Sequence, residues 1–565
     1  MNRLWLPSYP AGVPAEADTD AFRSINELFE RSVADFPERP ACVSMGTSLT
    51  YTELDQLATR FASYLRYTAG LAHGARVALI MPNLLQYPIA LFGVLRAGCT
   101  VVNCNPLYTA RELHYQLMDS GAEVVVAFES RALVLQQALE GTEVRHVVIT
   151  QAGDLLNFPR SIVTNFIIRH VKRMVPAWHI EGAITFQAAL QKGAAAPPTT
   201  VDVAPEDLAF LQYTGGTTGV PKGAMLTHAN LVANLQQAHA WLKPFMSPQQ
   251  ETVLTALPLY HIFALTVSLV FFKIGGNSVL VADPRDIPGL VAEMRRHRIT
   301  VLMGVNTLFN ALLNNAQFAK LDFSAMWLSI GGGMAVQRAV AERWHKVTGR
   351  PLIEAYGLTE ASPALTANPL DLPTYSGSIG LPLPSTEIVV RDDLGRDLPP
   401  GEVGELCARG PQIMKGYWHR PDETAKVMTP DGYLRTGDMA SMDRSGWLRI
   451  VDRKKDMIIV SGFNIYPNEV EEVVAMHEGV LEVGAVGVAD AACGEAVKIV
   501  VVRKDLSVTE EQLITHCRRF LTGYKVPPPR TVRRIAAEIT HRQDIAQGTQ
   551  AVCSGVGSKA RAPPP

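Results

Sequence analysis

The chain has 565 residues, a formal net charge of -2, 47% apolar residues and 19% charged residues. This length predicts two or more domains, the composition excludes a disordered chain, and the charge gives no basis for a nucleic-acid partner. Seven scattered cysteines, at positions 42, 99, 104, 407, 493, 517 and 553, show no metal-binding spacing and indicate free thiols in a reducing compartment.

The first half of the chain alternates strand-like and helix-like segments. Residues 1–20 lack the apolar run of a signal peptide. Short apolar, β-branched runs at 75–82 and 122–128 predict buried strands, and 87–98 predicts a helix that ends on a glycine. This alternation predicts an α/β fold with parallel sheets covered by helices.

Two apolar stretches bear on membranes. Residues 160–178 place Arg169, Lys172 and Arg173 among apolar side chains, which fits a basic amphipathic helix in a lipid headgroup layer or a solvated helix packed on its own domain. Residues 262–281 are interrupted by Lys273 and two glycines, so they predict a buried helix followed by a strand and not a membrane span.

The segment YTGGTTGVPKG at 213–223 combines four glycines, three threonines and a lysine. Glycines let successive N–H groups point at one anion, and hydroxyls and an ammonium can complete the shell. The segment lacks the Gly-Lys-Ser/Thr ending of the usual P-loop. It predicts either a phosphate-binding loop or an ordinary surface turn.

The pattern of predicted secondary structure changes after residue 380. Short period-2 runs separated by Gly-rich turns predict a small antiparallel sheet or barrel up to about residue 450. Beyond Asp452 the helical runs at 468–477 and 509–521 and the strand runs at 481–489 and 496–504 predict a compact α+β domain. The charged DRKKD segment at 452–456 is interpreted either as the linker to this domain or as an exposed turn.

Three further motifs suit a nucleotide. YGLTE at 356–360 and YLRTGD at 433–438 present hydroxyls and carboxylates, and GGG at 331–333 permits a close approach to a flat ligand. Together with the glycine-threonine segment they provide a phosphate cradle, a slot for a base, a carboxylate for ribose and an acid for Mg²⁺.

In this order, these motifs and VDRKKDMIIVSGFN resemble the adenylate-forming (ANL) superfamily of acyl-CoA synthetases, luciferases and peptide-synthetase adenylation domains. ALPLYHIFALT and LTGYKVP are most similar to bacterial long-chain fatty acid–CoA ligases. The resemblance implies two α/β subdomains plus a small β-barrel in an N-terminal domain at 1–451, and a mobile α+β lid at 452–526. It also implies ATP, Mg²⁺ and CoA, with acyl-AMP and pyrophosphate formed before CoA displaces AMP.

The resemblance assigns the site residues. The catalytic residues would be Lys222, Thr359, Glu360, His261 and Arg453. Thr214 and Glu360 would lie at Mg²⁺, and Asp452 would be the hinge. The nucleotide and CoA would be bound by Tyr213, Thr214, Gly215, Gly216, Thr217, Thr218, Gly219, Lys222, Gly331, Gly332, Gly333, Glu354, Ala355, Tyr356, Gly357, Thr359, Asp438, Arg453, Lys455, Gly462, Phe463 and Asn464. Leu265 stands where related proteins carry a gating tryptophan, which removes the basis for an indole gate.

The last 39 residues depart from the family pattern. They hold no PKxxxGK segment, whose lysine serves adenylation in the family, and the only lysine after Lys525 is Lys559. Their composition predicts an aberrant tail at 527–565 that adds neither helix nor strand to the lid. A frameshift is one explanation, and impaired adenylation is the expected consequence.

The resulting interpretation is a cytoplasmic, AMP-forming long-chain fatty acid–CoA ligase. It would attach peripherally to the inner face of the bacterial membrane through 160–178 and form a homodimer. A medium-chain or aryl acid–CoA ligase and a non-turning-over acyl-AMP-binding pseudoenzyme remain open as alternatives. A peptide-synthetase adenylation domain is disfavoured, because no aspartate near Tyr260 and His261 could bind an amino group.

Overall fold

A computed structural model describes residues 3–199, 201–214, 220–247, 249–460, 463–490, 494–505 and 507–536. The chain divides into two compact units. The first comprises residues 1–336, 342–388 and 408–435, and the second comprises residues 337–341, 389–407 and 436–565.

The first unit is built on two sheets. Its strands are β1 (Pro40–Ser44), β2 (Thr47–Thr50), β3 (Arg76–Ile80), β4 (Thr100–Asn103), β5 (Val124–Phe128), β6 (His146–Thr150), β7 (Ile184–Thr185), β8 (Leu208–Thr214), β9 (Lys222–Thr227), β10 (Thr252–Thr255), β11 (Asn277–Leu280), β12 (Val301–Gly304), β13 (Leu328–Gly331), β14 (Leu352–Gly357), β15 (Ala364–Ala367) and β16 (Leu381–Pro382). One sheet has the order β7-β6-β5-β3-β4-β8-β9 and the other β16-β15-β14-β13-β12-β10-β11-β1-β2. Most neighbours are parallel, and antiparallel strands such as β9 and β15 lie toward the edges.

Helices connect these strands, as the α/β prediction requires. They are α1 (Ile25–Asp35), α2 (Tyr51–Ser63), α3 (Gln86–Arg96), α4 (Ala110–Ser120), α5 (Ala132–Ala138), α6 (Arg160–Phe166), α7 (Phe186–Ala194), α8 (His228–Leu242), α9 (Ile262–Lys273), α10 (Ile287–Arg296), α11 (Asn306–Leu313), α12 (Arg338–Thr348) and α13 (Pro421–Val427). Thr109 begins α4 and Thr227 begins α8 with reciprocal capping boxes, which satisfy amide groups that a helix start leaves open.

The second unit holds most of a small sheet and a complete α+β domain. The small sheet has the order β17 (Glu387–Arg391), β18 (Val403–Arg409), β19 (Leu434–Met442), β20 (Leu448–Arg453). The α+β domain contains β21 (Ile458–Val460), β22 (Phe463–Ile465), α14 (Pro467–Ala475), β23 (Val480–Asp490), β24 (Gly494–Arg503), α15 (Glu510–Phe520) and β25 (Val532–Ala536). Val470, Val474, Leu513 and Cys517 pack from both helices onto this sheet as its core.

Two expectations for this unit are wrong. Asp452 and Arg453 do not lie in a linker, because they belong to β20 and pair with Met439 and Asp438 of β19. The tail does add a strand, since β25 pairs in parallel with β24 from Ile499↔Val532 to Arg503↔Ala536. A strand edge is satisfied by backbone groups, so a segment without the family motif can still complete it. Residues 537–565 lie outside the described residues.

None of the helices in the described parts of the chain combines the length and the apolar character needed to cross a bilayer. Residues 262–281 form the predicted buried helix and strand, α9 and β11. The cysteines at 42, 99, 104, 407 and 517 are all buried.

Candidate active site

The glycine-threonine segment connects two paired strands. Thr214 ends β8 and Lys222 begins β9, and the two residues are register partners in the antiparallel pair. The loop between them is therefore anchored at both ends by a sheet. Gly215, Gly216, Thr217, Thr218 and Gly219 lie outside the described residues, so their role in phosphate binding stays a prediction.

The Tyr213 side chain is bonded within the protein, and its part in nucleotide binding stays a prediction. Its hydroxyl donates to the Asp119 carboxylate at 2.7 Å, and burial raises its pKa, as does Asp119. Its ring lies on Gly223, where an added Cβ would approach the ring to 3.1 Å. Tyr213 therefore holds the strand that leads into the loop, while its hydroxyl is already bonded within the protein.

Lys222 is held by an acid and an aromatic ring. Its ammonium lies 2.5 Å from Glu423 of α13 and 5.1 Å from the centre of the Tyr417 ring. Hydrogen bonds from Lys222 and Lys426 lower the pKa of Glu423 to about 2. A fixed ammonium beside the loop is the group that a phosphate site requires.

Glu360 joins this cluster through Tyr417. The Tyr417 hydroxyl donates to the Glu360 carboxylate at 2.7 Å, and Glu360 is buried in the short helical turn Thr359–Ala361. Residues 415–418 run beside β9, with Trp418 N–H bonded to Gly223 O and Met225 N–H to Gly416 O. The structure thus brings the proposed Mg²⁺ carboxylate, the adjacent Thr359 and the loop lysine into one place.

Glu360 has the chemistry of a Mg²⁺ ligand, since hard divalent cations take carboxylate oxygens. Among the described residues no group of three or more His, Cys, Asp or Glu side chains forms a metal cluster. A single carboxylate fits a Mg²⁺ ion that obtains its other ligands from phosphate oxygens and water. Thr214 stays the second predicted ligand.

The proposed adenine wall lies at the ends of parallel strands. Gly304, Gly331 and Glu354 are register partners across β12, β13 and β14. Gly332 is closely packed, because a Cβ there would lie 3.0 Å from the Phe263 ring and 3.2 Å from Ala355 O. Gly333, Ala355 and Tyr356 follow at the same edge, and Gly357 turns the chain where a Cβ would collide with Pro363 O.

Glu354 is a buried carboxyl at this edge. It accepts a hydrogen bond from Val336 N–H at 2.9 Å. Burial raises its pKa to about 7, although the bonds from Val336 and Tyr375 oppose the shift. Glu354 therefore changes charge in the neutral pH range.

His261 precedes α9 at the end of a loop that buried polar groups fix. The Tyr87 hydroxyl donates to Leu259 O at 2.8 Å, and the Gln212 amide donates to Tyr260 O at 2.7 Å. Desolvation lowers the pKa of His261, which favours the neutral form of the ring. This favours the predicted positioning role over proton donation, and Leu265 one turn later is fully buried in α9.

The remaining predicted residues lie in the second unit. Asp438 and Arg453 are register partners, with Arg453 Nε 3.9 Å from the Asp438 carboxylate. Their role in binding ribose stays a prediction, and Lys455 follows in an exposed turn. Asn464 is exposed on β22 next to Phe463, whereas Gly462 lies outside the described residues.

Asp452 has the contacts of a structural anchor. Its carboxylate accepts hydrogen bonds from Arg453 N–H at 2.7 Å and from Asn468 N–H, in the first turn of α14, at 2.9 Å. Burial raises its pKa against the effect of both bonds. The side chain therefore ties β20 to α14 within the second unit, and its hinge role stays a prediction.

Sequence reasoning missed several residues of the site. Asp119, Tyr417 and Glu423 contact the loop frame or its lysine, but they lie far from the loop in the sequence or outside any motif. Asn83 and Gln212 support the loop before His261. Only the polar character of Asn83 and Gln212 inside otherwise apolar segments could have drawn attention to them.

Residues 29–418 match the AMP-binding enzyme family, and residues 469–539 match the AMP-binding enzyme C-terminal domain. The second match extends into the region predicted to be aberrant. A long-chain-fatty-acid–CoA ligase of Escherichia coli O6:H1 is 56% identical over 93% of this chain and 94% of its own length. The enzyme of that name from Haemophilus influenzae is 48% identical over 97% of this chain and 99% of its own.

Solved structures of related proteins share this fold. ATP-bound MatB from Rhodopseudomonas palustris superposes with a TM-score of 0.78 at 29% identity, covering 93% of this chain and 99% of that one. A benzoate CoA ligase from Burkholderia xenovorans superposes with a TM-score of 0.77 at 26% identity, over 91% of this chain and 96% of that one.

Proposed function

The chain belongs to the AMP-binding enzyme family, and from that premise we propose that it is an ATP-dependent long-chain fatty acid–CoA ligase. The observation that carries the proposal is 56% identity to ligases of this name over nearly the whole chain. The assembled cluster of Lys222, Glu360 and Tyr417 supports it at the level of the site. The comparisons give no support to the pseudoenzyme alternative.

The reaction has two steps. A fatty acid carboxylate oxygen bonds to the α-phosphorus of ATP and the bond to pyrophosphate breaks, which gives acyl-AMP. The CoA thiolate then bonds to the acyl carbon and the carbon–oxygen bond to AMP breaks. Such transfers depend on positioning and charge stabilisation more than on covalent help from the protein.

The residues divide this work by position. Lys222 and the loop it follows would bind the β- and γ-phosphates, and Thr359 would reach the α-phosphate. Glu360 with Thr214 would hold Mg²⁺, which neutralises charge on the phosphates when bound. Gly331 to Gly333 and Glu354 to Tyr356 would enclose adenine, Asp438 and Arg453 would bind ribose, and His261 would position the acyl carboxylate.

A substrate panel tests the proposal. We expect CoA-dependent formation of acyl-CoA and AMP with palmitate and oleate at a higher kcat/KM than with octanoate or 4-coumarate. A preference for 4-coumarate would favour the aryl alternative, for which a feruloyl-CoA synthase at 34% identity is a precedent. Absence of thioester both with every acid and from supplied acyl-AMP would refute the ligase assignment.

Peripheral membrane contact through the α6 segment is the second part of the proposal. Seven apolar side chains between 38% and 81% exposed cluster there, namely Phe158, Ile162, Val163, Phe166, Ile167, Val171 and Met174. Residues 158–174 contain four Lys or Arg and no acid. Exposed apolar groups among cations suit an anionic lipid surface.

Vesicle co-sedimentation tests this contact. The K172E/R173E variant should lose binding to vesicles containing phosphatidylglycerol, whereas R518E/R519E on α15 should bind like the wild type. Equal sedimentation of all three proteins would remove the α6 segment from the proposal. The predicted homodimer is a separate matter, which light scattering on the full chain measures.

A further inference from the structure

Asp119, near the end of α4, has a role that the site described so far does not include. Its side chain is only 11% exposed. One carboxylate oxygen accepts from the Tyr213 hydroxyl at 2.7 Å, and the other accepts from the Arg420 guanidinium at 3.2 Å. Its main-chain carbonyl accepts from the Trp418 indole at 3.0 Å. One residue therefore receives donors from two separate parts of the first unit, residue 213 and residues 418–420.

These donors flank the glycine-threonine loop on both sides. Tyr213 immediately precedes Thr214. On the other side, the Tyr115 hydroxyl lies 3.1 Å from Pro221 O and 3.4 Å from the Asp119 carboxylate, and it accepts from Arg420 at 3.1 Å. The residue before the loop and the residue before Lys222 are thus both tied to the end of α4.

The third connection reaches the counter-ion of Lys222. Arg420 immediately precedes α13, and α13 carries Glu423, which lies 2.5 Å from Lys222. Trp418 N–H donates to Gly223 O at 2.8 Å while its indole is held by Asp119. Asp119 therefore contacts groups at both ends of the loop and the residue before the helix that carries the counter-ion of Lys222.

A carboxylate suits this place because it accepts several hydrogen bonds and donates none. Burial and the Asp119 charge raise the pKa of Tyr213, so its hydroxyl stays protonated and remains a donor at working pH. An amide in place of the carboxylate has a single acceptor oxygen and a donor group that would face Tyr213 or Arg420.

We propose that Asp119 is a positioning residue for the triphosphate of ATP, acting through Tyr213, Tyr115 and Arg420. The proposal rests on the proposed function of the loop. It predicts a defect in the first half-reaction only. A misplaced phosphate-binding loop would slow formation of acyl-AMP from ATP but not the later formation of the thioester. A displacement of about 1 Å at such a site can reduce the rate about 100-fold.

The D119N variant tests the proposal in the full chain. We expect KM for ATP to rise about 10-fold and fatty acid-dependent pyrophosphate release to fall by a similar factor, in keeping with lost positioning. KM for CoA, and thioester formation from supplied palmitoyl-AMP, should stay within about twofold of the wild type, since neither uses the triphosphate. The matched control is E123Q, a carboxylate bonded to Arg76 and Arg145 away from the loop.

A second variant guards against a folding defect. Y213F keeps the ring on Gly223 and removes only the hydroxyl that Asp119 accepts. It should reproduce part of the ATP defect, and D119N/Y213F should be no worse than D119N alone. Equal losses in both half-reactions, or additive effects of the two changes, would overturn the proposal.

Calorimetry with ATP and Mg²⁺ separates this proposal from the assignment of function. If no thioester forms from any acid or from supplied acyl-AMP but D119N still weakens ATP binding relative to E123Q, the ligase assignment fails and the positioning role stands. If D119N binds ATP as the wild type does, the positioning role fails whatever the substrate.

Discussion

Two carboxylates of the site, Glu354 and Glu423, show how the surroundings set the charge of one side-chain type. Burial raises the pKa of Glu354 to about 7, whereas bonds from two lysines lower that of Glu423 to about 2. Near neutral pH the first is partly protonated and the second is fully ionised. A sequence shows two glutamates, and only the three-dimensional contacts distinguish them.

Glu354 makes the stability of the protein depend on pH. Between its ordinary pKa of 4.5 and its folded value of about 7, the folded state keeps a proton that the unfolded chain has lost. Stability therefore falls as pH rises through this range, by about 3 kcal/mol at most for a shift of this size. E354Q should remove the dependence and raise the thermal midpoint at pH 8.

Thermal unfolding of wild type, E354Q and E181Q between pH 4.5 and 8.5 measures this effect. Glu181 lies exposed in a turn, so its variant should follow the wild-type curve. Parallel curves for wild type and E354Q would show that Glu354 ionises without cost in the folded state.

Glu423 neutralises Lys222 before any phosphate binds. Its replacement by glutamine removes an anion beside the proposed triphosphate site, so E423Q should bind ATP about threefold more tightly at low salt. The gain should shrink at high salt, because the pair lies near the surface and is screened. Calorimetry at two salt concentrations measures it, with D422N on the exposed neighbouring residue as control. Weaker binding by E423Q would mean that Glu423 serves chiefly to hold Lys222 in place.

At the scale of elements, local patterns predicted much of the fold. The runs at 75–82 and 122–128 form β3 and β5. The helical runs at 87–98 and 509–521 form α3 and α15. Period-2 and helical spacing record which face is buried, so they report local structure. They contain no information on contacts such as Arg420–Asp119, whose partners are 301 residues apart.

The capping box of α8 links an element to the site, since Thr227 ends β9 and begins this helix. The Thr227 hydroxyl accepts from Asn230 N–H at 3.1 Å, and the Asn230 side chain accepts from Thr227 N–H. T227A should cost about 1 kcal/mol, as loss of such a cap usually does. The decrease in its thermal midpoint should exceed the decrease caused by T522A, a change to an exposed threonine after α15, and KM for ATP should stay unchanged. Equal midpoints would show that the cap contributes little here.

At the scale of the whole molecule, the family motifs predicted membership of the AMP-forming ligases. The sequence after residue 452 predicted most of the strands and helices of the C-terminal domain. The region after Val526 was the exception. Its composition pointed to no regular structure, yet β25 pairs with β24 through its backbone. Strand pairing at an edge is decided by the neighbouring backbone, which residue composition does not describe.

The missing PKxxxGK lysine predicts a division between the two half-reactions. Loss of one preorganised charge costs about 100- to 1000-fold in rate. Fatty acid-dependent pyrophosphate release should therefore be slow, while CoA acylation from supplied acyl-AMP should proceed well. Both rates are measured on the full chain and on a variant whose residues after Val526 are replaced by the corresponding segment of an E. coli relative. Fast pyrophosphate release by the unaltered chain would contradict this prediction.

The parallel pairing of β25 with β24 means that the C-terminal domain can be fully folded and still lack adenylation activity. Because β25 completes the edge of the C-terminal sheet, this domain should unfold cooperatively and resist proteases. It should do so whether or not the chain after β25 carries the PKxxxGK lysine. Circular dichroism and expression yield would then show a well-folded protein. The loss of the lysine would be detected only by measuring pyrophosphate release and thioester formation separately.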